Sequence, residues 1–167
     1  VSAPRVTQAV RLTPVSKPAG VRGSTTWLLR NSSTTGGADL APFSYGTNPT
    51  TPLFGDWDAN GSKTAGSFEN GVFKLNNAND SSAADVTFAF GDPRGFPVAG
   101  DFNGDGYDDV AVFRNGNWQV HYLGVGVVPD STFSFGPDLA WPSVVRVAGD
   151  WDGDGVYGVE LYTQGAG

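Results

Sequence analysis

Three observations predict an all-β fold of β-propeller blades, each of four antiparallel strands. Of the 167 residues, 24 are Gly and 11 are Pro, whereas Leu and Glu number nine and two. Such a chain turns often and lacks strong helix formers. Short motifs return three times at a near-constant spacing of 45 residues, within the roughly 40–50 residues that one four-stranded blade occupies. Between the turns, apolar and polar residues alternate with a period of two, the pattern of a strand.

The clearest motif is Gly55-Asp56-Trp57-Asp58-Ala59-Asn60-Gly61. It returns as Gly100-Asp101-Phe102-Asn103-Gly104-Asp105-Gly106 and as Gly149-Asp150-Trp151-Asp152-Gly153-Asp154-Gly155. A second is Phe43-Ser44-Tyr45-Gly46, repeated as Phe88-Ala89-Phe90-Gly91 and Phe133-Ser134-Phe135-Gly136. A third pairs an aromatic with an aliphatic two residues on: Trp27 and Leu29, Phe73 and Leu75, Trp118 and Val120. The last interval between Asp motifs stretches to 49 residues because of an insertion around Asp138–Ser143.

In the middle unit, Phe96–Ala99 is a short apolar strand entering the Asp loop, and Val110–Arg114 leaves it. Asn115-Gly116 is a two-residue hairpin turn of the type that needs positive φ. Trp118–Leu123 and Ser131–Phe135 are the third and fourth strands. The frame is permuted: the repeats begin at a third strand, Thr25–Arg30, and end after a second strand, Val159–Thr163, at the hairpin Gln164-Gly165. The two half-units add up to one blade, giving three in all, whereas a closed ring usually takes about 4–8. A homodimer of two-fold symmetry, closure within one chain, or further blades of a longer propeller would each complete a ring. Residues 1–23 lack the repeat and carry four basic residues and no acid. They are expected to be a basic, proline-containing arm or linker, with Val6–Leu12 pairing onto a sheet edge, ahead of a three-blade domain over 24–167.

No apolar run approaches the ~18 residues of a membrane span. The net charge of −7 argues against nucleic acid as a partner. Zero Cys excludes disulfides and thiolate-bound metals. Nine of the 17 acids fall in the three repeated loops, where clustered carboxylates repel at a cost; the loops read either as solvated acidic turns or as turns with a cation in each. In the central loop, Asp101, Asn103 and Asp105 stand at positions 1, 3 and 5, Gly106 permits a sharp turn at position 6, the carbonyl of Tyr107 follows at position 7, and Asp109 stands at position 9. Short oxygen side chains at alternate positions suit calcium, which takes about 6–8 oxygens. The equivalent ligands are Asp56, Asp58, Asn60, Ser62 and Thr64 in the first loop, and Asp150, Asp152, Asp154 and Val156 in the third, so up to three ions are expected. Position 12 holds Ser67, Val112 or Leu161 rather than the Glu of an EF-hand. Only the central loop has a carboxylate at position 9, where the others have Thr64 and Gly158, and it should bind best.

Asp-rich loops in a blade repeat, preceded by Phe90-Gly91 and Pro97-Val98-Ala99-Gly100, resemble FG-GAP/VCBS-type repeats, found in the propeller of integrin alpha chains and in secreted bacterial proteins. The resemblance covers about residues 24–163. It implies calcium-binding blades with the metal loop between the first and second strands, a secreted or cell-surface location, and a role in adhesion or ligand binding. Some members are domains attached to enzymes.

No catalytic constellation stands out. The single His, His121, lies on the third strand, where an inter-blade or solvent-facing role is expected, and no Gly-x-Ser-x-Gly elbow occurs. None of the carboxylates outside the loops (Asp39, Glu69, Asp80, Asp85, Asp92, Asp130, Asp138, Glu160) pairs evidently with another for glycoside hydrolysis. Trp141, in the inserted blade-to-blade link, is a candidate to stack on a sugar or anchor a partner, with Asp92 and Arg94 in the preceding link. The leading reading is an extracellular calcium-binding module for a glycan or protein ligand, lectin-like in character. The alternative is a propeller enzyme, or an accessory domain of a secreted hydrolase acting on polysaccharide or peptide.

Overall fold

The computed structural model describes residues 9–10, 24–47, 50–124, 130–136 and 144–163. Among them there is no helix, and so none long and apolar enough to cross a membrane. Two complete antiparallel blades stand in the middle of the chain. The first is β5 (Thr51–Gly55), β6 (Thr64–Glu69), β7 (Val72–Leu75) and β8 (Val86–Ala89). The second is β9 (Phe96–Gly100), β10 (Asp109–Arg114), β11 (Asn117–His121) and β12 (Ser131–Ser134). Half-blades flank them. Ahead lie β2 (Ser24–Trp27), β3 (Leu29–Arg30) and β4 (Phe43–Thr47), and behind lie β13 (Val144–Gly149) and β14 (Gly158–Thr163). The expected strand Thr25–Arg30 is interrupted at Leu28. The half-blades do not join: β2–β4 and β13–β14 are separate two-stranded sheets. Within the stretch expected to reach a sheet edge, β1 (Ala9–Val10) pairs antiparallel with β3, Val10 opposite Leu29.

The core lies between the sheets, which explains the middle strands. β10 reads Asp-Val-Ala-Val-Phe-Arg, and its first five residues are buried. Val110 and Val112 point back into a cluster with Leu53, Trp57, Phe68, Phe73 and Leu75 of the first blade. Ala111 and Phe113 point forward into a cluster with Val98, Trp118 and Val120, against which Ala148, Val159 and Leu161 of the last half-blade pack. A strand covered on both faces reads as a continuous apolar run rather than an alternation. A third cluster, Trp27, Leu29, Phe43, Tyr45 and Ala65, joins the first half-blade to the first complete one. Arg146 takes the repeat position of Pro97 and lays its guanidinium over the ring of Phe96, 3.9 Å from the centroid, a cation–π contact across the same seam.

The hairpin at Asn115-Gly116 is as expected and has a counterpart at Asn70-Gly71, whereas Gln164-Gly165 and the insertion at 138–143 lie outside the described residues. Asn70-Gly71 and Asn115-Gly116 hold φ of 52° and 84°, and of 52° and 76°, the signature of a type I′ turn. At the end of each fourth strand the Phe-Gly glycine lies against the second strand of the next sheet. A Cβ on Gly91, whose φ is 75°, would lie 2.6 Å from Cγ2 of Val112, and one on Gly136 would meet Leu161. Only a residue without a side chain lets the chain cross there.

Candidate metal centre

The three Asp loops connect β5 to β6, β9 to β10 and β13 to β14, and so emerge at one end of successive sheets. Each is folded by its own carboxylates. Asp101 accepts the backbone N–H groups of Gly104 (2.7 Å), Asp105 (3.1 Å) and Gly106 (2.9 Å). Asp56 holds Asn60 and Gly61 in the same way, and Asp150 holds Gly153 and Gly155. The position 5 side chain accepts the N–H of position 7 in all three: Asn60 from Ser62, Asp105 from Tyr107, and Asp154 from Val156. The turn needs left-handed backbone at positions 4 and 6. Gly104 and Gly153 supply the former, Gly61, Gly106 and Gly155 the latter, and Ala59 adopts φ of 56° at position 4 of the first loop.

These bonds gather the oxygens. Carboxylate oxygens of Asp150, Asp152 and Asp154 all lie within 4.8 Å of one another. Two ligands on opposite sides of one calcium, each about 2.4 Å away, are separated by about that distance, so the three fit a single ion. In the first two loops an Asn amide takes one corner, with Asn60 bonded to Asp58 at 3.0 Å and Asn103 to Asp105 at 3.1 Å. The donor set is entirely oxygen, which favours a hard cation over zinc or copper.

Position 9 separates the loops. Asp109 is fully buried; one carboxylate oxygen accepts the N–H of Leu123 at 2.7 Å and the other that of Phe102 at 3.0 Å. Burial pushes its carboxyl up to about 7, with the charges of Asp105 and Asp101 adding to the rise and the two N–H donors opposing it. A cation bound between these carboxylates would offset both burial and repulsion. Thr64, at the same position, is buried and donates its hydroxyl to the Gly55 carbonyl at 3.3 Å, and the third loop has Gly158 there.

Neighbouring loops are bonded together by a device absent from the sequence reading. The N–H of Asp108, at position 8, donates to the carbonyl of Asp56, at position 1 of the preceding loop, at 2.8 Å. The N–H of Tyr157 donates to Asp101 in the same way at 2.7 Å. The Asp108 carboxylate also accepts the N–H of Asp56 at 2.7 Å and pairs with the Lys63 ammonium, which lies 5.8 Å from the Tyr157 ring centroid. Between the loops is a cleft of about 390 Å³, whose lining includes Asp56, Asp101, Asp150 and these three position 8 side chains. The one sequence signal was that Asp108 adds an acid the ligand pattern does not use.

The tryptophans follow the repeat. Trp27 and Trp118 are core residues. Trp57 and Trp151, at position 2, lie over glycine pairs of their own sheets, Gly55 with Gly66 and Gly149 with Gly158. His121 is inter-blade, its ring 4.6 Å from Phe88 and 5.1 Å from Phe90, with Nδ1 2.6 Å from Asp130. Asp92 holds the link between the blades: its carboxylate accepts the Arg94 N–H at 2.7 Å and lies 3.9 Å from the Arg114 guanidinium. The Arg94 side chain is exposed. Trp141 lies outside the described residues.

Residues 96–121, from β9 through the central loop to β11, match the FG-GAP repeat family. Comparisons with curated proteins and with solved structures return no match.

Proposed function

We propose that the chain is a calcium-binding propeller module of the extracellular space, and that its blades present a surface to a glycan or protein ligand. The observation that carries the reading is the threefold recurrence of one oxygen-lined turn, in which the same N–H groups are spent in fixing the same carboxylates. Asp101, Asn103, Asp105 and Asp109, with the Tyr107 carbonyl, would hold the ion in the central loop. Asp56, Asp58, Asn60 and the Ser62 carbonyl would do so in the first, and Asp150, Asp152, Asp154 and the Val156 carbonyl in the third. The FG-GAP match over the central loop supports both the metal and a secreted or cell-surface location. A chain without disulfides gains from such ions the rigidity that a stapled secreted domain draws from cystines. The ligand would meet the blade-to-blade links, where Asp92, Arg94 and Trp141 stand, and it would be recognised in a lectin-like manner.

Calorimetric titration of calcium into chelator-stripped protein tests the metal. Binding to the folded state alone raises stability by roughly 3 kcal/mol at a hundredfold excess over Kd, so the melting temperature should rise with calcium and fall in chelator. Asp105→Ala should remove more of that gain than Asp58→Ala. Identical melting curves with calcium and with chelator would refute the metal. A glycan array read with and without Trp141→Ala tests the ligand separately.

A further inference from the structure

The last half-blade carries an apolar face on which none of the described residues packs. Val145 pairs with Tyr162 and Val147 with Glu160, so these four side chains share one face. Val145, Val147 and Tyr162 are 46%, 38% and 54% exposed, and the neighbouring Trp151 is 56% exposed. In the first blade the same repeat positions hold Leu53, Trp57 and Phe68, all buried against the second blade. In the second blade they include Val98, Phe102 and Phe113, packed against the last half-blade. Trp57 rests on its two glycines as Trp151 does, yet is only 4% exposed. The face is therefore built as a seam between blades. Among the described residues, β14 also has no partner on its outer side, where β6 and β10 pair with β7 and β11.

The other end of the described chain has the complementary shape. Among the described residues, β2, β3 and β4 are a third and a fourth strand without a first and second of the repeat, and the side of β5 facing them leaves Pro52 and Phe54 only partly covered. The seam of Trp27, Leu29, Phe43 and Tyr45 against the first blade is thus half of a full inter-blade seam.

We propose that a second copy of this chain completes it: β13–β14 of one copy joins β2–β4 of the other, reciprocally, in a two-fold ring of six blades. The interface continues an existing seam, and six blades fall within the roughly 4–8 that close a ring. A reciprocal contact of this kind is the usual form of a two-fold dimer. Repeat equivalence sets the register. β6 pairs Glu69 with Val72, and β10 pairs Arg114 with Asn117, so Thr163 would face Thr26 of the second copy. The edge of β3 that β14 would take is held by β1, so the arm competes with the second copy. Glu160 is the one charge on the face; the second blade has Ala111 there, fully buried.

Light scattering at micromolar concentration in calcium, on the full chain and its point variants, tests the ring. Ala9→Pro, which removes the backbone N–H that faces Arg30 in β3, should give twice the mass of the 17.4 kDa chain. Glu160→Ala should strengthen association, and Val147→Asp, at a position exposed in the single chain, should abolish it while keeping the melting temperature of the single chain. Because the chain has no Cys, Thr26→Cys with Thr163→Cys reports the pairing directly: a disulfide linking two chains is expected. A single-chain mass for Ala9→Pro, or a disulfide formed within one chain, would overturn the proposal.

Discussion

Ala59 sits in left-handed backbone, with φ of 56°, where the other two loops have Gly104 and Gly153 at 78° and 84°. That conformation costs an L-residue roughly 1–2 kcal/mol, and glycine gives back part of the relief through the entropy it loses on folding. Ala59→Gly should therefore stabilise the fold by about 0.5–1 kcal/mol, read as a higher denaturant midpoint at unchanged slope; a loss would show that Ala59 packs usefully. Asp109 supplies a pH dependence. Its carboxyl is raised to about 7 in the fold, above the ordinary value of about 3.9 in an unfolded chain. Between those values the folded state holds the extra proton, so this group's contribution to stability is full below pH 4 and is lost as pH rises through 7. In chelator the melting temperature should fall from pH 5 to pH 7.5, and saturating calcium should flatten the slope, because the ion stabilises the carboxylate. A rise over that interval in chelator would contradict the assignment. The oxygen-bearing positions of the turn were legible residue by residue, since side-chain oxygens at alternate positions can be counted in a sequence. Position 8 was not, because its bonds to the previous loop are made largely by backbone atoms, which no residue letter encodes.

At the scale of the strand, sequence and structure agree closely in the second blade. The apolar run at Val110–Phe113 served as a strand signal because both of its faces are covered, and Asn115-Gly116 placed the hairpin. The boundary that differs, at Leu28, lies between β2, which pairs with β4, and β3, which pairs with β1, so the two halves of the expected strand have different partners. The Phe-Gly motif has a physical reason that periodicity alone did not disclose: it is where one sheet crosses to the next against Val112 or Leu161. Gly91→Ala must adopt positive φ and also force Val112 aside. Left-handed strain and overpacking together predict a loss of about 2–4 kcal/mol by chemical denaturation. Val112→Ala in the same chain should recover part of it by vacating the space. Equal stability of Gly91→Ala and the parent would mean that the link re-routes freely.

Over the whole molecule, the described sheets pack in chain order, through three separate seams. Stability in such an array is close to a sum of blade and interface contributions, and the ends open first. Backbone amides of β6 and β10, buried on both faces, should exchange slowest, and those of β14 fastest among the second strands. The loops add a coupling at one end of the sheets. Asp101 bonds forward, through its carbonyl, to Tyr157 of the third loop, and its own loop reaches back through Asp108 to Asp56 of the first. Asp150 is bonded only within its loop among the contacts described. Removing a ligand at the centre should therefore loosen three sheets, and removing one at the end only one. In calcium, at a concentration where the chain is single, Asp101→Ala should speed amide exchange in β5–β6, β9–β10 and β13–β14 together. Asp150→Ala should speed it in β13–β14 alone. If both variants changed exchange only in their own loop, the bonds between loops would carry no coupling, and the three sites would act as independent metal turns on a shared scaffold.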